Sequence, residues 1–170
     1  MKSHSLTSSP INLLRFCSIV LSMGLLRSSV LHSDESVQFP EGFRRWVHIG
    51  TGVILPSDNP LLKSEEGMHH VFANSKAADA YATGDFPDGS ILVYELREAQ
   101  PKNGVISEGE RRRVDVMIKD SNSCKSTGGW RFERFIGDQH TENAIHDSGH
   151  SCFQCHSKAD KHGFVFSQLR

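Results

Sequence analysis

The chain lacks a surplus of either charge. Its 19 basic and 20 acidic residues leave a formal charge of -1, so it carries none of the broad positive charge that a nucleic-acid footprint needs. It lacks an apolar run long enough to span a bilayer. The apolar stretch near its start, Phe16 to Leu26 (FCSIVLSMGLL), falls well short of the ~20 residues that a spanning helix requires. Internal repeats and low-complexity tracts are absent too. Cysteine is scarce, with four in all. Only Cys152 and Cys155 stand close together, so a zinc site built from two cysteine pairs is excluded.

What remains is an ordinary globular composition. The 170 residues are 37% hydrophobic and 23% charged, enough for one soluble domain with a real core. Residues 1–33 hold Lys2, Arg15 and Arg27 and no acidic residue. Positive charge followed by a short apolar run and small residues reads as a signal peptide. The expected division is a signal over 1–33 and a domain over 34–170, exported to the periplasm. The one basic cluster, Arg111-Arg112-Arg113, has Glu108, Glu110 and Asp115 beside it and reads as a solvated, locally neutralised stretch. Cys17 would leave with the signal. Cys124, left without a partner, reads as a small half-buried side chain.

The pattern along the domain is mixed, with strands predominating in the middle. Phe43 to Leu55 reads as a short helix or turn leading into a strand, and Met68 to Asn74 as a short strand. Ser75 is a good N-cap for a short helix that stops at Gly84. A Pro-Asp-Gly turn then precedes a strand over Ser90 to Arg97. In it Leu92, Tyr94 and Leu96 share one face, and Ile91, Val93 and Glu95 the other. In the next strand, RRRVDVMIKDS, Val114, Val116 and Ile118 oppose Asp115 and Met117. GGWRFERFIGD supplies a third. The fold class expected is α+β around a mostly antiparallel sheet with a few flanking helices.

Cys152-Phe-Gln-Cys155-His156 carries the chemistry. Two cysteines separated by two residues can each add to a vinyl group of haem, and the histidine that follows then lies under the iron. A redox disulfide would want a thioredoxin-like βαβ pattern, which is not evident. Zinc would need ligands beyond the pair, with His150, His156 and His162 available nearby. Only 14 residues follow His156 and none is methionine, and Met68 and Met117 lie far upstream. That departs from the usual small electron-transfer cytochrome, and the strand-like SILVYEL and RVDVMIKD depart from a helical bundle. A six-coordinate electron carrier nevertheless stays open. His69, His70, His140 and His146 are candidate pocket residues or distal ligands. Phe164 and Phe166 alternate after the motif and read as packing residues.

Spread through the chain are FRRWVHIGT, HHVFAN, AADAYATGDFPDGSILVYELREA, VMIKD, GGWRFERF and CFQCHSKADKHGFVFSQL. In this order they resemble the cytochrome P-460 family and its c-prime-beta relatives, over Phe43 to Leu169. The resemblance implies a homodimer and a covalently attached haem c, held by Cys152, Cys155 and His156, with an open iron. It implies binding or transformation of small nitrogen oxides such as hydroxylamine and nitric oxide, or binding of carbon monoxide without turnover, with a redox partner protein for any turnover. Members that oxidise hydroxylamine have a lysine bonded to the haem edge. Here Tyr94 occupies that position, and Lys102 lies outside the matching strand. The resemblance also sets Asp115 where the family has a distal carboxylate, a possible proton acceptor.

Overall fold

The computed structural model describes Met1 and residues 38–169; the expected signal peptide lies outside the described residues. Five strands, β1 (Val47–Ile54), β2 (Gly67–Ala73), β3 (Ile91–Lys102), β4 (Val105–Lys119) and β5 (Trp130–Ile136), pair antiparallel in the order β1-β2-β3-β4-β5. Three short helices accompany them: α1 (Pro60–Lys63), α2 (Ser75–Ala80) and α3 (His150–His156). The α+β expectation holds. Among the described residues no helix is long and apolar enough to cross a membrane.

Local chemistry explains most boundaries. Helix α2 is capped by Asn74 rather than Ser75: the Asn74 side chain accepts from the Ala77 N–H at 2.9 Å, the N-cap role of a short polar side chain. The same oxygen accepts from Ile91 N–H at 3.1 Å, tying helix to sheet. Strands β3 and β4 run longer than expected because Asn103 (φ 53) and Gly104 (φ 78) form a tight turn with both residues left-handed, the turn whose twist matches a hairpin.

Alternation gives the sheet two faces. On one, here the C-terminal face, Ile49, Ala73, Leu92, Trp130 and Phe132 pack with Ala77 and Ala80 of α2 and with Val165. On the other, the N-terminal face, Val93, Val114, Val116, Phe72 and Phe135 pack under Phe39 and Phe43.

The arginine run is a correction. It is neutralised, but not as a solvated stretch. A bulge steps β4 by one extra residue, pairing Leu96 with Arg113 and Arg97 with Arg111, and so turns alternate arginines to opposite faces. Arg113, 7% exposed, is held on the C-terminal face by Asp115 and Glu65. Arg111 joins Asp138 and Glu95 on the N-terminal face. Glu95 is fully buried and is met by Arg44 at 2.7 Å, Arg111 at 2.8 Å and Arg97 at 3.1 Å.

Candidate functional site

Helix α3 carries the whole Cys-x-x-Cys-His unit. Asp147 starts it. Its carboxylate accepts from the Ser151 N–H at 2.8 Å and the Gly149 N–H at 3.1 Å, satisfying donors that a helix start leaves free. Hydrogen bonding by Ser151 holds that carboxyl below its ordinary range. Gly149, at φ 81, makes the entry turn, and a Cβ there would come within 2.9 Å of the Phe132 ring. Spacing of three within a helix sets Cys152 and Cys155 one turn apart. Both are free thiols, Cys152 half-buried and Cys155 exposed. Burial pushes the Cys152 thiol up, and the Arg134 charge opposes that shift.

His156 is held from three sides. Its Nδ1 lies 2.8 Å from the Phe164 carbonyl oxygen. A carbonyl only accepts, so Nδ1 carries the proton and Nε2 keeps its lone pair. The ring lies between Phe132 and Phe166, with centroids at 5.2 and 5.1 Å. Burial pushes the imidazole below its ordinary pKa, against the opposing effect of the Phe164 hydrogen bond. The side chain is therefore a neutral imidazole with one committed and one free nitrogen, the state a metal ligand needs.

Tyr94 sits opposite Asp115 on the C-terminal face. Its ring stacks on His69 at 5.0 Å and 19°, with the Arg113 guanidinium 5.7 Å away. The Tyr94 hydroxyl is buried beside the Glu65 carboxylate without a well-formed hydrogen bond. Burial first, and the Glu65 charge second, push the phenol far above its ordinary value. Asp115 is occupied: Arg113 Nε donates at 2.8 Å, Arg134 Nε at 2.5 Å and its terminal nitrogen at 3.0 Å.

His69 and Phe166 line one cleft of about 360 Å³, with Ile49 and Val71. Because Phe166 also packs against the His156 ring, the cleft borders His156. His69 Nδ1 is buried without a hydrogen-bond partner. Burial lowers the His69 pKa, and the His70 charge adds to it. Glycine at position 52 makes room for this ring: a Cβ there would lie 2.6 Å from it.

The remaining candidates go elsewhere. His70 is on the N-terminal face, 2.8 Å from Thr51 and 3.1 Å from Glu108, and Met68 shares that face by alternation. His140 stacks on Phe39 at 3.6 Å and bonds Glu41. His146, His150 and His162 are exposed. Lys102 ends β3 at the hairpin turn, remote in register from Tyr94. Met117 packs into the C-terminal core. Cys124 is half-buried, its carbonyl accepting from Thr127 and Gly129. Among the described residues no group of three or more His, Cys, Asp or Glu side chains could hold a metal ion, so the zinc alternative finds no ligand set.

Sequence reasoning missed Glu65 and Arg134, and it read Phe164 only as a packing residue. Phe164 supplies the carbonyl that orients His156, from a left-handed backbone (φ 68). Such a backbone costs a non-glycine residue about 1–2 kcal/mol, and no sequence signal marks it. The donors present suit a haem: two thiols and a neutral imidazole with a free nitrogen on one helix, beside a cleft where the buried Nδ1 of His69 is left without a partner. No curated protein sequence matches the chain. The sequence model of the family described as Cytochrome P460 matches residues 40–167, a span that runs from just before Phe43 through the Cys-x-x-Cys-His helix and its Phe164–Phe166 tail. By that match the chain belongs to the cytochrome P460 family, and it is a haem cytochrome of that type.

Proposed function

We propose that the chain is an exported, mono-haem c-type cytochrome that binds small nitrogen oxides or carbon monoxide at an open iron. One observation carries this reading. The Phe164 carbonyl commits Nδ1 of His156 and leaves Nε2 free, one residue past Cys155. Cys152 and Cys155 would hold the haem through thioethers, and His156 would supply a nitrogen ligand to its iron. When bound, the haem supplies an iron with an open position for a small ligand. Phe132 and Phe166 keep the imidazole in place and keep water from it. Asp115 already accepts from two guanidiniums, which favours a role in fixing Arg113 and Arg134 over one in taking a proton. The membership fits a periplasmic homodimer, with a redox partner needed for any turnover.

The ferric protein should be high-spin, and the ferrous protein should bind carbon monoxide fast, without first losing a ligand. A low-spin ferrous spectrum with slow binding would overturn the open-iron reading. It would favour a six-coordinate electron carrier, for which the unpartnered Nδ1 of His69 is the specific support. Met68 and His70 are on the opposite face.

Tyr94 separates a gas binder from a hydroxylamine oxidase. Its phenol is packed by His69 and Arg113, as a tyrosine with a buried body usually is. The expected result is an ordinary Soret band, unchanged in Tyr94→Phe, with little or no oxidation of hydroxylamine. A strongly red-shifted band that vanishes in Tyr94→Phe would mean a covalent link and would restore the oxidase reading.

A further inference from the structure

We propose that Phe164 is a positioning residue: its ring, clamped against Phe153 and the bare face of Gly128, holds its own carbonyl on His156 Nδ1 and so sets the donor strength of the proximal ligand. The inference rests on the haem reading above.

The geometry is specific. Gly163 (φ 62) and Phe164 (φ 68) are consecutive left-handed residues. Glycine takes that conformation freely, but phenylalanine does not. A strained aromatic persists only where its surroundings over-determine it, and here they do. The Phe164 N–H donates to Ala159 O at 2.9 Å. The preceding carbonyl, of Gly163, accepts from the Trp130 indole at 2.9 Å. The Phe164 ring packs on Phe153 at 5.3 Å. A Cβ on Gly128 would lie 2.7 Å from the Phe164 ring and 2.9 Å from the Phe153 ring, so the absence of a side chain at 128 is what admits the pair.

The chemical consequence follows from the acceptor. A histidine that donates Nδ1–H to a carbonyl gains basicity at Nε2, and partners of this kind tune a bound metal. A stronger donor favours the ferric over the ferrous state. Losing the ring clamp lets the 164 carbonyl drift and weakens that donation.

The test uses the haem-loaded protein. In Phe164→Ala, the ferrous iron–histidine stretching frequency should fall by resonance Raman, and the reduction potential should rise. A tenfold shift in the oxidised-to-reduced ratio corresponds to ~59 mV for one electron. In the wild type, the Nδ1 proton should appear as a hyperfine-shifted NMR resonance that exchanges slowly with deuterated water. An unchanged frequency in folded Phe164→Ala would overturn the proposal. So would a rapidly exchanging proton in the wild type, which decides the matter if the variant does not fold. The optical spectrum of the purified wild type separates the two readings. Absence of any haem band strikes the haem reading beneath, and this proposal with it. A haem band with a fast-exchanging proton strikes the Phe164 proposal alone.

Discussion

Replacing Cys152 and Cys155 together with serine should leave a folded protein that sheds its haem in denaturant. Folding should survive because neither thiol is central to the core: Cys152 is half-buried, Cys155 is exposed, and both are unbonded to other cysteines. Each single serine should weaken retention, since one thioether still tethers the macrocycle. On the proposed reading the double variant would keep only the His156 bond to iron, and denaturant that unfolds α3 would dismantle the ring clamp of Phe132 and Phe166. A haem-stained denaturing gel reads the result. Wild-type colour should migrate with the chain and double-variant colour at the dye front, while circular dichroism confirms folding of both. Colour that stays with the double variant would refute thioether attachment.

The second large effect is expected at Glu95→Gln, on the face opposite Tyr94 and His69. Glu95 is completely buried. Desolvation alone would raise its pKa, but hydrogen bonds from Arg44 and Arg111 outweigh burial and leave it lowered. Removing its charge strands arginines that converge on it, and breaking one side of a buried ion pair costs ~3–5 kcal/mol. Arg44 is partly exposed, so the lower end of that range is expected. Arg44 also ties the segment before β1 to the sheet, which makes residues 38–46 the first region to loosen. The pH dependence has a definite sign. A carboxyl with a depressed folded pKa stabilises the protein fully above its unfolded value, ~4.3. That contribution is lost as pH falls through the lower folded value. Wild-type stability should therefore drop on acidification below about pH 4, and Glu95→Gln should be less stable at pH 7 but lose less on acidification. Equal denaturant midpoints for the two proteins at pH 7 would show that the arginines find other partners.

The parts of this architecture that were readable in one dimension are those with short-range causes. Alternation in Ile91–Leu96 and in Val114–Ile118 assigned both faces of the sheet correctly, because the side-chain period of a strand is local. The Cys-x-x-Cys-His unit was readable for the same reason. The cap of α2 fell one residue early because Asn74 and Ser75 are both good caps, and only the helix geometry decides between them. The hairpin was cut short because residues 98–110 are mostly polar and exposed, with no apolar alternation to follow; the Asn103-Gly104 pair was the available sign. The arginine run was misjudged because its partners Glu95, Glu65 and Asp138 are distant in sequence and a bulge reroutes the side chains. His69 and His70 are neighbours with equal claims in the sequence. Strand pairing puts one beside Tyr94 and the other beside Glu108. Phe164 was invisible as a positioning residue because its contribution is a backbone carbonyl.

The strands lie in the sheet in the order in which they occur in the chain, and this has a consequence for how the protein is made. Each strand after β1 pairs with its immediate predecessor, so each pairing closes a loop of modest length, which favours rapid folding. The register of all five strands can be settled before α3, the last α-helix in the chain, has been synthesised. The C-terminal face, by contrast, gains Val165, Phe153 and Phe164 only from the final segment. Maturation thus acquires a direction: scaffold first, with both thiols still reachable on an undocked tail, and closure of the aromatic clamp last. Under the proposed covalent attachment, the thiols would be met on a peptide hung from a finished sheet, and docking of that peptide would be the step that commits the product.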